Sequence, residues 1–334
     1  MRSDLSVPRC CSLLVRQDGL AVGLDVLVVE ARHEDADRDA ARSLEGGAHG
    51  AGRLHAGRRQ PRLARRTARR DVLPVLRILF LADVFGAAGR RAVEERLPSL
   101  REELDVSFCV VNGENAADGR GLTPKLAEKL LAAGADVLTL GNHTWARREL
   151  QPYLAETDRV IRPANFSRHA PGRALAVGTA TDGTRVAVLQ LMGWLFLEVA
   201  VGPFELVDEL VEQARAEAPV VVLDFHAEAT SEKQAMARWL DGRVTAVIGT
   251  HTHVQTADAR VLPGGTAAIT DAGMTGPHDS IIGVKVELAT QRMRTGIPVR
   301  FEPAEGDVRI EGVLVECDPD GRARSCEPVR VPIA

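Results

Sequence analysis

The run Val244-Thr245-Ala246-Val247-Ile248 leads directly into Gly249-Thr250-His251-Thr252-His253. A short apolar run rich in β-branched residues predicts a buried strand. The two histidines then leave its carboxyl end on a loop, where open α/β sheets place their sites. Two imidazoles spaced His-x-His on such a loop can both reach a metal ion. Taken alone, the pair fits surface histidines beside a turn equally well; the upstream sequence separates the two readings.

Upstream, the strand-then-ligand pattern recurs. Residues 76–81 predict a buried strand with Asp83 just beyond its end, and residues 106–111 a second running into Asn112-Gly113-Glu114-Asn115. Residues 136–140 predict a third, ending in Gly141-Asn142-His143, and residues 220–223 another, ending in Asp224-Phe225-His226. Helices are expected between them. One over 90–104 carries apolar Val93, Leu97, Leu100 and Leu104, with Pro98 expected to kink or split it. A second over 125–133 has Thr123 as its N-cap and Pro124 at the first helical position. Others are expected at 146–150, at 204–216, and up to Leu240 behind a Ser231/Gln234 capping box. Further strands are expected at 186–191, 266–270 and 308–317, with a loop over 271–283. The alternation predicts an α/β fold.

Of the 334 residues, 45% are hydrophobic, enough for a sizeable core. No apolar run approaches the roughly 18–20 residues of a membrane span. Residues 20–29, with Asp25 in their middle, make a poor signal peptide. Residues 1–74 differ in kind, with fourteen Arg, no Lys and ten acidic residues and no helical or strand periodicity across the arginine-rich part. They are expected to be a disordered or non-native extension ahead of a domain over 75–334. The competing reading is a basic arm for nucleic acid or an acidic surface. The net charge of −8 over residues 75–334 weighs against a long nucleic-acid footprint. Five cysteines without regular spacing suit a reducing compartment, so the expected location is cytoplasmic.

Together the strand ends supply Asp83, Glu114, Asn115, Asn142, His143, His226, His251 and His253. Oxygen and imidazole ligands in mixture suit Mn, Fe or Zn, whereas Mg prefers oxygen alone. The candidates are too many for one ion; two ions about 3.5–4 Å apart, bridged by a carboxylate, match the number. Such a pair lowers the pKa of a shared water, giving hydroxide near neutral pH.

The ordered series Asp, Glu-Asn, Gly-Asn-His, His and Gly-Thr-His-Thr-His resembles the calcineurin-like metallophosphoesterase superfamily. Four segments are similar to its YmdB-like cyclic-nucleotide phosphodiesterases: residues 81–86, 112–117, 224–233 and 270–277. The resemblance covers about residues 76–303. It implies a four-layer α/β/β/α metallophosphoesterase sandwich with two divalent metal ions, Fe or Mn first and Zn or Mg as alternatives. It also implies that Asp83, Glu114, Asn115 and His253 serve one ion and Glu114, Asn142, His226 and His251 the other, with Glu114 bridging. His143 is then the general acid or a donor to a phosphoryl oxygen. The implied reaction is hydrolysis of 2′,3′-cyclic nucleotides, with 3′,5′-cyclic nucleotides as a further substrate class, by attack of a metal-bridging hydroxide on phosphorus. A small-molecule cyclic nucleotide is thus the expected partner, in a homo-oligomer with no membrane contact. Two departures from the wider superfamily, Phe85 in place of a second ligand after Asp83 and Glu114 in place of a bridging Asp, fit the YmdB-like branch.

Glu228 and Thr230 border this set as candidate substrate contacts. His169 and His278 read as surface histidines, Lys233 as a solvated residue at a helix start, and Trp145 as packing. Competing functions are a regulatory or scaffold protein with a structural metal and a phosphomonoesterase. His143, which the metals do not need, speaks against the scaffold. An amidohydrolase would carry its His-x-His on the first strand, whereas here the motif comes last.

Overall fold

The computed structural model describes residues 75–333, so the expectations for residues 1–74 lie outside the described residues. In chain order the first elements are β1 (Leu76–Leu81), α1 (Gly86–Glu103), β2 (Phe108–Asn112), α2 (Pro124–Ala132), β3 (Val137–Thr139) and α3 (Leu150–Glu156). A second alternation follows, with β4 (Leu175–Thr179), β5 (Arg185–Met192), α4 (Pro203–Glu217), β6 (Val220–His226), α5 (Thr230–Trp239) and β7 (Ala246–Thr250). The chain closes through β8 (Arg260–Val261), β9 (Ala267–Ile269), β10 (Gly276–Pro277), α6 (Val286–Thr295), β11 (Val308–Cys317) and β12 (Ala323–Pro332).

These strands form two mixed sheets, one ordered β10-β11-β1-β2-β3 with β12 on β11, the other β4-β5-β6-β7-β9-β8. The sheet interiors are parallel, β1 to β2 to β3 and β5 to β6 to β7 to β9. Parallel strands covered on both faces read as continuous apolar runs, and β1 shows why. Its Leu76, Ile78 and Phe80 enter a core shared with Val220, Val222, Ala246 and Ile248 of the other sheet. Its Leu79 and Leu81 pack outward on Val93 and Leu97 of α1. On the far side, Ala187, Leu189 and Leu191 of β5 meet Val207 and Val211 of α4 and Met236 of α5. The four layers are α/β/β/α, as the sequence implied, and each buried large side chain contributes roughly 1.5–3 kcal/mol.

Four local expectations are corrected. Helix α1 starts earlier, at Gly86, and runs unbroken through Pro98. Pro98 lies on the exposed face, where the Glu94 carbonyl that it deprives of a donor can reach water. Helix α5 opens at Thr230 without a capping side chain, so Ser231 is already inside the helix and the capping box does not form. The short helix expected at 146–150 is displaced to Leu150–Glu156. The loop expected over 271–283 is interrupted by β10, which pairs with β11, and strands β4, β8 and β12 and helix α6 lie outside the expected elements. By contrast, Thr123 caps α2 through its hydroxyl, which accepts from the Leu126 amide at 3.3 Å. Among the described residues no helix is long and apolar enough to cross a membrane.

Candidate metal centre

The carboxyl ends of both sheets' parallel strands meet at one place. Asp83 follows β1, Glu114 and Asn115 follow β2, Asn142 and His143 follow β3, His226 ends β6, and His251 and His253 follow β7. All eight residues come together. His226 Nε2 stands 2.9 Å from Asn142 Oδ1, 3.1 Å from Glu114 Oε1 and 3.0 Å from His251 Nδ1. Asn115 Nδ2 lies 3.2 Å from Glu114 Oε1 and 3.1 Å from His253 Nε2. Asp83 Oδ2 accepts the His251 amide at 2.9 Å. His143 donates its amide to Glu114 Oε2 at 3.0 Å and sets Nδ1 2.9 Å from Asn115 Oδ1.

Neighbouring groups fix which nitrogen each histidine turns inward. Thr250 donates its hydroxyl to Asp224 Oδ1 at 2.7 Å, so it accepts from His226 Nδ1 at 2.9 Å. That leaves Nε2 as the nitrogen turned toward the Asn142 and Glu114 oxygens. His251 Nε2 lies 3.0 Å from Glu228 Oε2 and carries the proton, which turns the Nδ1 lone pair toward His226. His253 donates Nδ1–H to the Ile282 carbonyl at 3.0 Å and presents Nε2 to Asn115. Such outer partners set the tautomer and raise the basicity of metal-binding histidines.

The electrostatics describe a site with more acceptors than protons. Burial, together with the Glu114 and Asp271 charges, raises the Asp83 carboxyl well above the ordinary range. Burial alone would raise Glu114 too, but His226 and His143 hold it below. His226 is lifted to about 9: burial opposes its charge, and Glu114, Asp83 and Asp224 overcome that opposition. His251 falls to about 3 through burial and the neighbouring His226 charge. His253 is lowered chiefly by burial, and His143 by burial with help from Arg120 and His226.

These features fit a divalent cation. Glu114, His226 and His251 each offer a ligand atom within 4.8 Å of one another. Asp83 Oδ1 is buried without a hydrogen-bond partner among the described residues; such an orphaned oxygen calls for an unseen positive partner. Gly141 completes the cradle, because a Cβ there would stand 2.3 Å from Glu114 Oε2 and 2.5 Å from His226 Nε2. A single proton on His226 satisfies one of three acceptors, whereas a cation answers all three.

The loop that carries the His-x-His pair is held in a conformation side chains resist. His251 and His253 have φ of 101° and 64°, in the left-handed region. Between them, Thr252 is clamped by Asp271 Oδ2, which accepts its amide at 3.0 Å and its hydroxyl at 2.7 Å. Lys233 Nζ meets the same oxygen at 2.8 Å, and both charged side chains are buried. Lys233 is therefore not solvated, because α5 turns it inward to neutralise Asp271. His278 is not a free surface histidine either, since its Nε2 lies 3.2 Å from the buried Glu311. His169 is exposed, and Trp145 packs on Phe166 at 5.4 Å between ring centroids. Glu228 reaches His251, while Thr230 is exposed at the start of α5.

Asp224, Thr250, Asp271 and Lys233 were missed as supporting residues. For Asp271 a signal existed: it follows a buried strand, β9, as Asp83 follows β1.

The chain is similar to known proteins over most of its described residues. A family model described as YmdB-like protein matches residues 79–329. A 2′,3′-cyclic-nucleotide 2′-phosphodiesterase of Bacillus subtilis (strain 168) is 47% identical over 243 residues, covering 73% of this chain and 92% of that enzyme. The crystal structure of a hypothetical protein from Thermus thermophilus superposes with a TM-score of 0.73 at 40% identity, covering 78% of this chain and all of the other. That of a novel phosphatase from Mycoplasma pneumoniae does so with a TM-score of 0.72 at 32% identity, covering 78% and 94%.

Proposed function

The chain belongs to the YmdB-like family, and from that premise we propose that it is a metal-dependent phosphodiesterase that opens 2′,3′-cyclic nucleotides, with 3′,5′-cyclic nucleotides as a further class. The observation that carries the reading is His226 Nε2 set among Glu114 Oε1, Asn142 Oδ1 and His251 Nδ1, with His143 alongside. The Bacillus relative's name supplies the substrate.

Asp83, Glu114, Asn115 and His253 would hold one ion and Glu114, Asn142, His226 and His251 the other, with Fe or Mn suited to this oxygen and imidazole mixture. When bound, the ions supply Lewis acidity toward the phosphate and a water acidified to near-neutral pKa. Water adds to phosphorus, the P–O2′ bond breaks, the 2′ oxygen takes a proton, and a nucleoside 3′-monophosphate remains.

His143, alongside the centre, is the proposed donor of that proton. Burial, with Arg120 and His226, lowers the His143 pKa, and the negative charge of a bound cyclic phosphate favours the imidazolium that donation needs. The Asn115 amide spans Glu114 and His253 at one end and His143 Nδ1 at the other. Its nitrogen serves Glu114 and His253 and its oxygen faces Nδ1, so Nδ1 carries a proton and Nε2 is the nitrogen that, once protonated, gives its proton to the 2′ oxygen. The test is product analysis: the Mn- or Fe-loaded protein should convert 2′,3′-cyclic AMP to 3′-AMP with two ions per chain. A 2′-AMP product, or no turnover, would contradict the proposal.

A further inference from the structure

A cleft of about 620 Å³ opens from Asn115, His143 and His253 and is walled by Phe85, Ile282 and Phe301. Its volume lies in the range of small-molecule sites, about 300–1,000 Å³. The floor is fixed. Phe85 packs with Met274, Val284 and Ala289, and its ring touches the backbones of Gly119 and Gly283 so closely that a Cβ on either would come within 2.6 Å of it. Phe301, by contrast, is 43% exposed, and the Arg292 guanidinium lies 5.3 Å from its ring centroid.

The chemistry of these walls is that of base recognition. Nucleobases stack on aromatic rings and on arginine planes, and this is tolerant of base identity because every base has a π-face. Arg120 and Arg300 line the rim, where the Asp118 carboxylate is met by Arg147 at 3.5 Å and that of Glu302 by Lys285 at 2.7 Å. We infer that Phe301 and Arg292 form the stacking platform on which this cleft holds the substrate's base, without selection among bases. The inference rests on the phosphodiesterase reading above, since the cleft gains its meaning from the phosphate placed beside His143.

The test compares 2′,3′-cyclic AMP with ethylene phosphate, the same five-membered cyclic diester without ribose or base, in the metal-loaded full-length protein. Phe301→Ala should raise KM for 2′,3′-cyclic AMP between about five-fold and a hundred-fold, the range base–aromatic stacking supports, with kcat little changed. Its kcat/KM for ethylene phosphate should equal that of the wild type. Val299→Trp, which fills the cleft rather than emptying it, should give the same split. Calorimetry should show adenosine binding to the wild type and weaker binding to both variants. Unchanged KM in both variants, or equal losses on the two substrates, would overturn the nucleoside site while leaving the phosphodiesterase intact. A wild type that hydrolyses ethylene phosphate but not 2′,3′-cyclic AMP would overturn the nucleotide reading and this inference with it.

Discussion

Lys233 Nζ lies 2.8 Å from Asp271 Oδ2, with both side chains buried, and the same oxygen holds Thr252 between His251 and His253. A buried pair broken from one side leaves an uncompensated charge costing about 3–5 kcal/mol. Lys233→Met should therefore lower unfolding free energy by about that amount in denaturant titrations, and should also weaken metal binding as the His-x-His loop loosens. Stability within about 1 kcal/mol of wild type would show that the pair does not carry the clamp.

Gly141 leaves the room that the centre occupies. Gly141→Ala places a methyl group against Glu114 Oε2 and His226 Nε2, so metal content by elemental analysis should fall sharply. Circular dichroism should remain that of the wild type, because the clash is with side chains. A full complement of metal would contradict the cradle.

Glu228 acts through His251. Removing the charge with Glu228→Gln leaves the imidazole less firmly oriented, and outer-partner losses of this type cost about 10- to 100-fold in metal affinity. Competitive chelation measures it directly; unchanged affinity would return Glu228 to the role of a substrate contact.

Chelation should reach beyond activity. An ion bound at a thousand times its Kd stabilises the folded state by about 4 kcal/mol, so exhaustive EDTA treatment should lower Tm by roughly 10 °C. Added Mn should restore it. An EDTA-insensitive Tm would place the metal outside the folded core.

Much of this centre was readable before the fold was known, for a physical reason. Parallel strands buried on both faces are uninterrupted apolar runs, so a polar residue just past one stands out, and Asp83, Glu114, His226 and His251 do. The supporting residues were harder. Lys233 sits on a helix whose neighbours Glu232 and Met236 are also buried, but a lysine at a helix start has the same local signature whether it faces water or a carboxylate. Edge strand β12 was lost because Arg324, Glu327 and Arg330 interrupt its apolar pattern, and β4 because it is a five-residue run that ends in Gly178 and Thr179. The left-handed φ of His251 and His253 is a tertiary product of the Asp271 clamp, with no trace in local composition.

The central claim is that His143 delivers a proton at a metal centre it does not build. The most direct test is single-turnover hydrolysis of 2′,3′-cyclic AMP by metal-loaded wild type and His143→Ala at matched metal content. The account predicts a loss of about 10²- to 10⁴-fold in the chemical step, with metal affinity unchanged. Undiminished turnover by the variant, or a loss that merely tracks missing metal, would contradict it.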